Sequence, residues 1–282
     1  DLRNARHAYY GMVSYFDSLI GRILKALDDG GFTENTYVFV VADHGEMLGE
    51  RGTWFKFLPY EWSARVPMIV TGPGIKAGYV EEKGVSLVDL LPTMTELATD
   101  GKGIELADRI DGRSLVQMMH GDNSGRPDDV MMEFTGEGVY APALIIRRDG
   151  IKYVHCRTDP PMMFDLKKDP QELHNVAEDP AYADTASDLQ REVDSRWDYD
   201  RLERDILQSQ KRRLFVQQAL LKGKWTGWDH QPFVDATRAY VRGAIDPNTT
   251  ATKALRRLPF VAEVPPHNPR QGKPAIDLRP KR

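Results

Sequence analysis

The 282-residue sequence has one cysteine, Cys156, so no disulfide can form within the chain, which fits a reducing, cytoplasmic setting. No stretch approaches the roughly 20 consecutive apolar residues that a membrane-spanning helix needs. The opening Asp1-Leu2-Arg3-Asn4 lacks the basic and apolar regions of a secretory signal. A strong charge of either sign is also missing: 38 Lys and Arg stand against 42 Asp and Glu, a net charge of -4, which gives no electrostatic reason to expect a nucleic acid as partner. Only the end is biased, where Arg270, Lys273, Arg279, Lys281 and Arg282 make a basic, proline-containing tail that reads as a solvated or subunit-wrapping arm. An initiator Met is absent as well, and the helix-like opening reads as part of a longer protein. What remains is a globular composition, 41% hydrophobic, sufficient for one large domain or two smaller ones.

Apolar residues Tyr9, Met12, Val13, Phe16, Ile20, Ile23, Leu24 and Leu27 recur at three- and four-residue steps, which predicts an amphipathic helix over residues 5–29, stopped by Gly30-Gly31. The nearly all-apolar run 37–42 predicts a strand buried on both faces of a mainly parallel sheet. Residues 66–70 read as the next strand, and 86–98 as a helix with a Ser cap. Helix followed by buried strand implies an α/β core. The texture changes after about Asp128. Residues 130–134 and 143–147 are strand-like, and Asp149-Gly150 is a hairpin turn leading into 151–156, which predicts a smaller antiparallel sheet. Residues 180–221 read as helical with a break near Trp197. Beyond Gly223 comes a Trp-, Pro- and Gly-rich extended tail. The expected organisation is therefore an α/β part over 1–127, an α+β subdomain over 128–222 and a loop-rich tail over 223–282 at an oligomer interface.

The informative segment is Ala42-Asp43-His44-Gly45-Glu46-Met47-Leu48-Gly49-Glu50-Arg51-Gly52, directly after the buried strand, where ligands collect in open α/β sheets. Asp43 and His44 offer one oxygen and one nitrogen to a divalent cation, and Gly45, Gly49 and Gly52 let the backbone turn tightly around them. The pair alone is better read as an ordinary loop carboxylate beside a hydrogen-bonded His. With its continuation to Trp54-Phe55-Lys56, however, the run resembles the late metal-binding motif of the sulfatase branch of the alkaline-phosphatase superfamily. The resemblance implies an alkaline-phosphatase-like mixed sheet flanked by helices. It makes Asp43 and His44 metal ligands, and it makes Lys56 a sulfate contact that offsets charge on the leaving oxygen. An Asp-His pair, where many sulfatases have Asp-Asn, is similar to choline sulfatases and the related phosphonate monoester hydrolases, and implies calcium or manganese. Ser63-Ala64-Arg65-Val66-Pro67, Val88-Asp89-Leu90-Leu91-Pro92-Thr93 and Asp111-Gly112-Arg113-Ser114-Leu115 agree with the family and read as scaffold. In the similar stretch 164–177, Asp169 and Glu172 read as capping and turn residues.

The family attacks with a formylglycine made from Cys in Cys-x-Pro-x-Arg, and that motif is absent. Cys156-Arg157-Thr158-Asp159-Pro160 has Thr where Pro is needed and Pro where Arg is needed, so Cys156 reads as a structural thiol. Nucleophile and two further Asp ligands are thus expected from an N-terminal half, and this chain alone is expected to be inactive. Stretches such as Trp228-Asp229-His230-Gln231-Pro232-Phe233 and Pro265-Pro266-His267-Asn268-Pro269-Arg270 resemble the C-terminal extension of choline sulfatases. That implies choline sulfate as substrate and a homo-oligomer, dimer or tetramer. A trimethylammonium calls for aromatic faces and a nearby carboxylate. Glu133 is the expected carboxylate with Glu137 as its rival; Trp54, Phe55, Tyr60 and Trp62 are candidate walls, and Asp246 is a residue offered to a neighbouring subunit. A phosphonate monoester or phosphodiester hydrolase and a non-catalytic fragment are the competing readings.

Overall fold

A computed structural model describes residues 1–102, 104, 108–136, 139–220 and 222. The chain divides into two compact units, Asp1–Glu203 and Arg204–Arg282. The first unit takes in both the segment carrying the Asp-His motif and the small sheet.

Helix α1 (Leu2–Asp29) follows the predicted periodicity and starts three residues earlier; it ends where Gly30 donates its N–H to Ala26 and Gly31 turns with φ 71°. None of its residues is buried, and Tyr10, Met12, Phe16 and Ile23 are more than half exposed. The apolar stripe is present, but no described element covers it.

Strand β1 (Val38–Val41) comes next, then the short strands β2 (Met47–Leu48) and β3 (Trp54–Phe55), helix α2 (Glu61–Ala64) and strand β4 (Met68–Thr71). The expectation of a parallel arrangement with both faces buried does not hold for β1 among the described residues. It pairs antiparallel with β4, Val38 opposite Thr71 and Val41 opposite Met68, and it is half-buried throughout. The connection between the two strands contains no helix longer than the four residues of α2, so no crossover returns the chain for parallel pairing. An apolar run records the capacity for burial but not strand direction.

Leu115, Met118 and Met119, the last two in α4 (Val116–Met119), pack with Phe39, Met68 and Val70 of the β1–β4 pair and with Tyr37 just before β1. Helix α3 (Leu90–Ala98) is entered through a single tight turn in which Ser86 and Asp89 form a capping box. The same buried Asp89 carboxylate accepts the N–H of Arg113 at 2.8 Å and pairs with Arg126. A cap predicted from Ser86 is therefore also a three-way tie.

The small sheet is antiparallel in the order β5 (Asp129–Phe134), β6 (Ala143–Arg148), β7 (Ile151–Cys156), β8 (Asp159–Asp165). Asp149 and Gly150 turn β6 into β7 with φ 51° and 85°, as a two-residue turn with both central residues left-handed requires. One face, with Leu144, Ile146, Tyr153 and Met163, packs on Leu189 and Val193 of α5 (Ala183–Arg196). The opposite face carries Ala143, Ile145 and Val154 with Met132 and Met162. Helix α5 stops at an extended Trp197, and α6 (Tyr199–Leu220) starts two residues later, so the break falls where expected. Among the described residues no helix is long and apolar enough to cross a membrane.

A bidentate clamp fixes α5 to the sheet: Arg148 Nη2 donates to Glu192 Oε1 at 2.8 Å, and Nη1 donates to Oε2. Arg148, and secondarily Arg196, hold the Glu192 carboxyl down at about 2 from an ordinary 4.5, against the opposing effect of burial. A carboxylate depressed in the folded state stabilises it above the unfolded pKa, and that contribution is lost as pH falls toward the folded value. Urea unfolding at stepped pH should therefore find Glu192→Gln less stable than the parent near neutrality, with the gap closing between about pH 4.5 and 2. A gap independent of pH would assign the clamp no ionic role.

Candidate active site

The loop between β1 and β4 is built around close backbone contacts. Gly49 and Gly52 adopt φ 96° and 72°, a region closed to most side chains. Gly45 serves differently: its N–H donates to Ser63 O at 2.8 Å, and a Cβ there would overlap the carbonyl oxygen of Trp62. The loop is thus seated on α2. Its far side is held by α1, where Arg6 donates to Leu48 O at 2.9 Å and pairs with Glu50 at 2.6 Å. Met47 of β2 is fully buried.

Asp43 follows β1 with its side chain 85% exposed. Its Oδ1 accepts the backbone N–H of His44 at 3.1 Å. His44 Nδ1 lies 2.7 Å from Gly45 O; a carbonyl can only accept, so that nitrogen donates, and in the neutral ring the lone pair is on Nε2. Nε2 is 3.5 Å from Asp43 Oδ2. A carboxylate oxygen and an imidazole nitrogen, adjacent and with the ring oriented through its second nitrogen, are a donor set that fits a divalent transition-metal ion such as manganese better than calcium, which takes oxygen ligands. Among the described residues no group of three or more His, Cys, Asp or Glu could hold a metal, and two donors are fewer than the six to eight that calcium takes.

Lys56 comes directly after β3. Its carbonyl accepts the Ser63 hydroxyl while its side chain is exposed. The backbone is anchored and the ammonium is available. Of the aromatic candidates, Trp54, Phe55 and Trp62 are exposed. Tyr60 is engaged: the Arg51 guanidinium stacks 4.3 Å from its ring centroid, and its hydroxyl lies 3.8 Å from Met162 sulfur.

Asp43, His44 and Lys56 share one loop, and the structure does not bring Glu133 to it. Glu133 pairs with Leu144 in the sheet register, on the α5 face, where its Oε1 accepts the Trp197 indole N–H at 2.6 Å. The loop touches the other face, Tyr60 reaching Met162 and Glu61 reaching Lys152. Glu137 and Asp246 lie outside the described residues. Cys156 is partly buried at the end of β7, 3.6 Å from Ala141 O.

One group of charges escaped the sequence reading. Lys152 and Glu172 are both fully buried; Lys152 Nζ lies 2.7 Å from Glu172 Oε1, 2.6 Å from Glu61 Oε1 and 2.9 Å from Pro59 O. Asp169 does act as a turn residue, accepting the His174 N–H at 2.7 Å. Glu172 closes the same turn, its N–H donating to Asp169 O at 3.0 Å with φ 56°, and its carboxylate accepts the N–H of Glu61 at the start of α2; its full burial beside Lys152 was not expected. The legible signal was Lys152 itself, a cation between Ile151 and Tyr153-Val154 of a strand, which cannot be buried without a partner.

Comparison with known proteins agrees with this architecture. The sulfatase family model matches residues 1–100, and a model described as choline sulfatase enzyme C terminal matches residues 204–255. The chain is 38% identical over 255 residues to the choline-sulfatase of Rhizobium meliloti (strain 1021), covering 88% of this chain and 48% of that protein. It is 36% identical over 187 residues to arylsulfatase K of Homo sapiens, covering 63% and 34% respectively. Among solved structures, the phosphonate monoester hydrolase of Agrobacterium radiobacter superposes with a TM-score of 0.62 at 31% identity, over 69% of this chain and 41% of that one. The chain thus spans about half the length, or less, of these relatives. Family segments at both ends, a relative aligned along most of the chain and the shared fold place it in the sulfatase family, as a choline sulfatase-like member.

Proposed function

We propose that these residues belong to an enzyme that hydrolyses choline sulfate to choline and sulfate, and that they supply one side of its metal and sulfate site. The observation that carries the substrate is the choline-sulfatase C-terminal match over residues 204–255, which joins the Asp43-His44 pair on a single chain. Asp43 and His44 Nε2 would hold a calcium or manganese ion, which when bound offsets charge on the sulfuryl oxygens. Lys56 presents a mobile ammonium to the sulfate and to the oxygen that leaves with choline. No Cys-x-Pro-x-Arg occurs in the 282 residues, so the reading takes the formylglycine nucleophile from outside them, and the 282 residues alone are expected to give no turnover. Asp246 would approach a neighbouring subunit's pocket in a homo-oligomer.

Glu133 lies on the α5 face, away from the loop of Asp43 and His44, so it would partner the trimethylammonium only of a substrate held by a neighbouring subunit. Its partner Trp197 is a neutral donor, so the negative charge is oriented without being cancelled. Glu133→Gln keeps the shape and removes the charge. In the active enzyme it should reduce kcat/KM for choline sulfate roughly five- to thirtyfold, the equivalent of about 1 to 2 kcal/mol, and leave an uncharged aryl sulfate nearly unaffected. Equal losses on both esters would make Glu133 a general support. No loss on either would move the role to Glu137 or Asp246, or away from choline. A phosphonate monoester hydrolase is the second reading, favoured by the structural likeness reported above; turnover of a phenyl phosphonate monoester above that of choline sulfate would establish it.

A further inference from the structure

The loop bearing Asp43, His44 and Lys56 rests on one short support, and that support is itself tied down by buried charge. Ser63 of α2 accepts the Gly45 N–H through its carbonyl and donates its hydroxyl to the Lys56 carbonyl. The residue after His44 and the backbone of Lys56 are therefore both fixed by Ser63, which is itself buried. At the other end of α2, Glu61 is held twice: its backbone N–H donates to Glu172 Oε2 at 2.7 Å, and its carboxylate lies 2.6 Å from Lys152 Nζ. Lys152 sits in β7 of the small sheet, and Glu172 follows β8. Three oxygens, from Glu61, Glu172 and Pro59, surround an ammonium that has no contact with water.

We infer that Lys152, Glu172 and Glu61 form a positioning device that sets the register of α2 against the small sheet, and through Ser63 holds the Asp43-His44 donors and Lys56 in working geometry. Buried ion pairs add little net stability compared with well-packed apolar residues of the same size, and their attested use is to select one arrangement among several. The other contacts of α2 with this face are weaker in direction: Tyr60 at its N-cap tilts on Phe164 and reaches the Met162 sulfur at 3.8 Å. An ammonium bracketed by three fixed oxygens admits one seat. Glu172 reaches its place only with a left-handed backbone, φ 56°, which is disfavoured for a glutamate and is held by the contacts its carboxylate makes.

The inference rests on Asp43 and His44 being metal ligands, so the test includes a ligand variant. Lys152→Met together with Glu172→Gln preserves volume, leaves no unpaired charge in the interior and leaves the partly exposed Glu61 carboxylate to water. In the active enzyme, manganese titration of this double variant should show affinity weakened by about 10- to 100-fold, as for other groups that orient metal ligands. The metal-free protein should retain its far-UV signal and its unfolding midpoint. kcat should fall with little change in KM. Wild-type manganese affinity in the double variant, alongside loss of metal in Asp43→Asn, would overturn the positioning role and leave the ligand reading intact. Metal retained in Asp43→Asn would remove both. Should the double variant not fold, Glu61→Gln, at a partly exposed site, keeps the question open to measurement: a several-fold weaker manganese affinity supports the device, and an unchanged one overturns it.

Discussion

Asp43→Asn is expected to remove nearly all bound metal from the active enzyme and to lower turnover by at least about 100-fold, since a direct ligand should cost more than the 10- to 100-fold typical of the groups behind it. The substitution is close to isosteric, and the side chain it alters is largely solvent-exposed. Its described contacts are acceptance of the His44 backbone N–H, which an Asn oxygen can still provide, and the approach of Oδ2 to His44 Nε2 at 3.5 Å. Stability should therefore change by no more than about 0.5 kcal/mol, as for most surface positions. What is lost is a negative charge next to His44 Nε2, the second donor, which is retained. The remaining nitrogen should still bind weakly, so excess manganese should recover part of the activity by mass action. Metal analysis of the purified variant decides the matter: unchanged content would remove Asp43 from the ligand set. Loss of metal together with a large drop in unfolding midpoint would identify a folding contribution that the exposed geometry gives no reason to expect.

The parts of the fold that could be read from sequence are those governed by local rules. Helix α1 was marked by apolar spacing, the β6–β7 turn by Asp149-Gly150, and the α5–α6 break by the loss of periodicity near Trp197. Strand β8 was not anticipated, because Pro160 and Pro161 argue against a strand; they are tolerated since β8 lies at the edge of the sheet. The direction of β1 relative to β4 was misread because burial of an apolar run does not encode orientation. The candidates Asp43, His44 and Lys56 could be named from sequence because they lie in one short stretch, residues 43–56. The buried Lys152–Glu172 pair was not, since its members are apart in sequence and meet only through β7, β8 and the turn that follows. Glu133 illustrates the converse. Its identity as a carboxylate at the end of a strand was legible, but the face it occupies follows from register, and register fixed it beside Trp197 rather than on the loop side of the sheet.

Lys56→Met should lower kcat by about 10²- to 10³-fold, the range found when one preorganised donor to a developing negative charge is deleted. The geometry separates this effect from folding. The Lys56 backbone is secured through its carbonyl by Ser63, which the substitution leaves in place, and the exposed side chain has no ion pair among the described residues. Methionine keeps most of the apolar stem and removes the ammonium. If that ammonium meets the oxygen that departs with the alcohol, its worth must grow as the leaving group becomes more basic. An alkyl ester such as choline sulfate should then lose more than a nitrophenyl ester, whose leaving oxygen stabilises its own charge. Manganese affinity should remain at the wild-type level, because Asp43 and His44 are untouched. A uniform loss across leaving groups with raised KM would instead make Lys56 a ground-state sulfate contact, binding substrate and transition state alike. Unchanged kinetics on every ester would take Lys56 out of the site altogether and leave the metal pair as this chain's contribution to the chemistry.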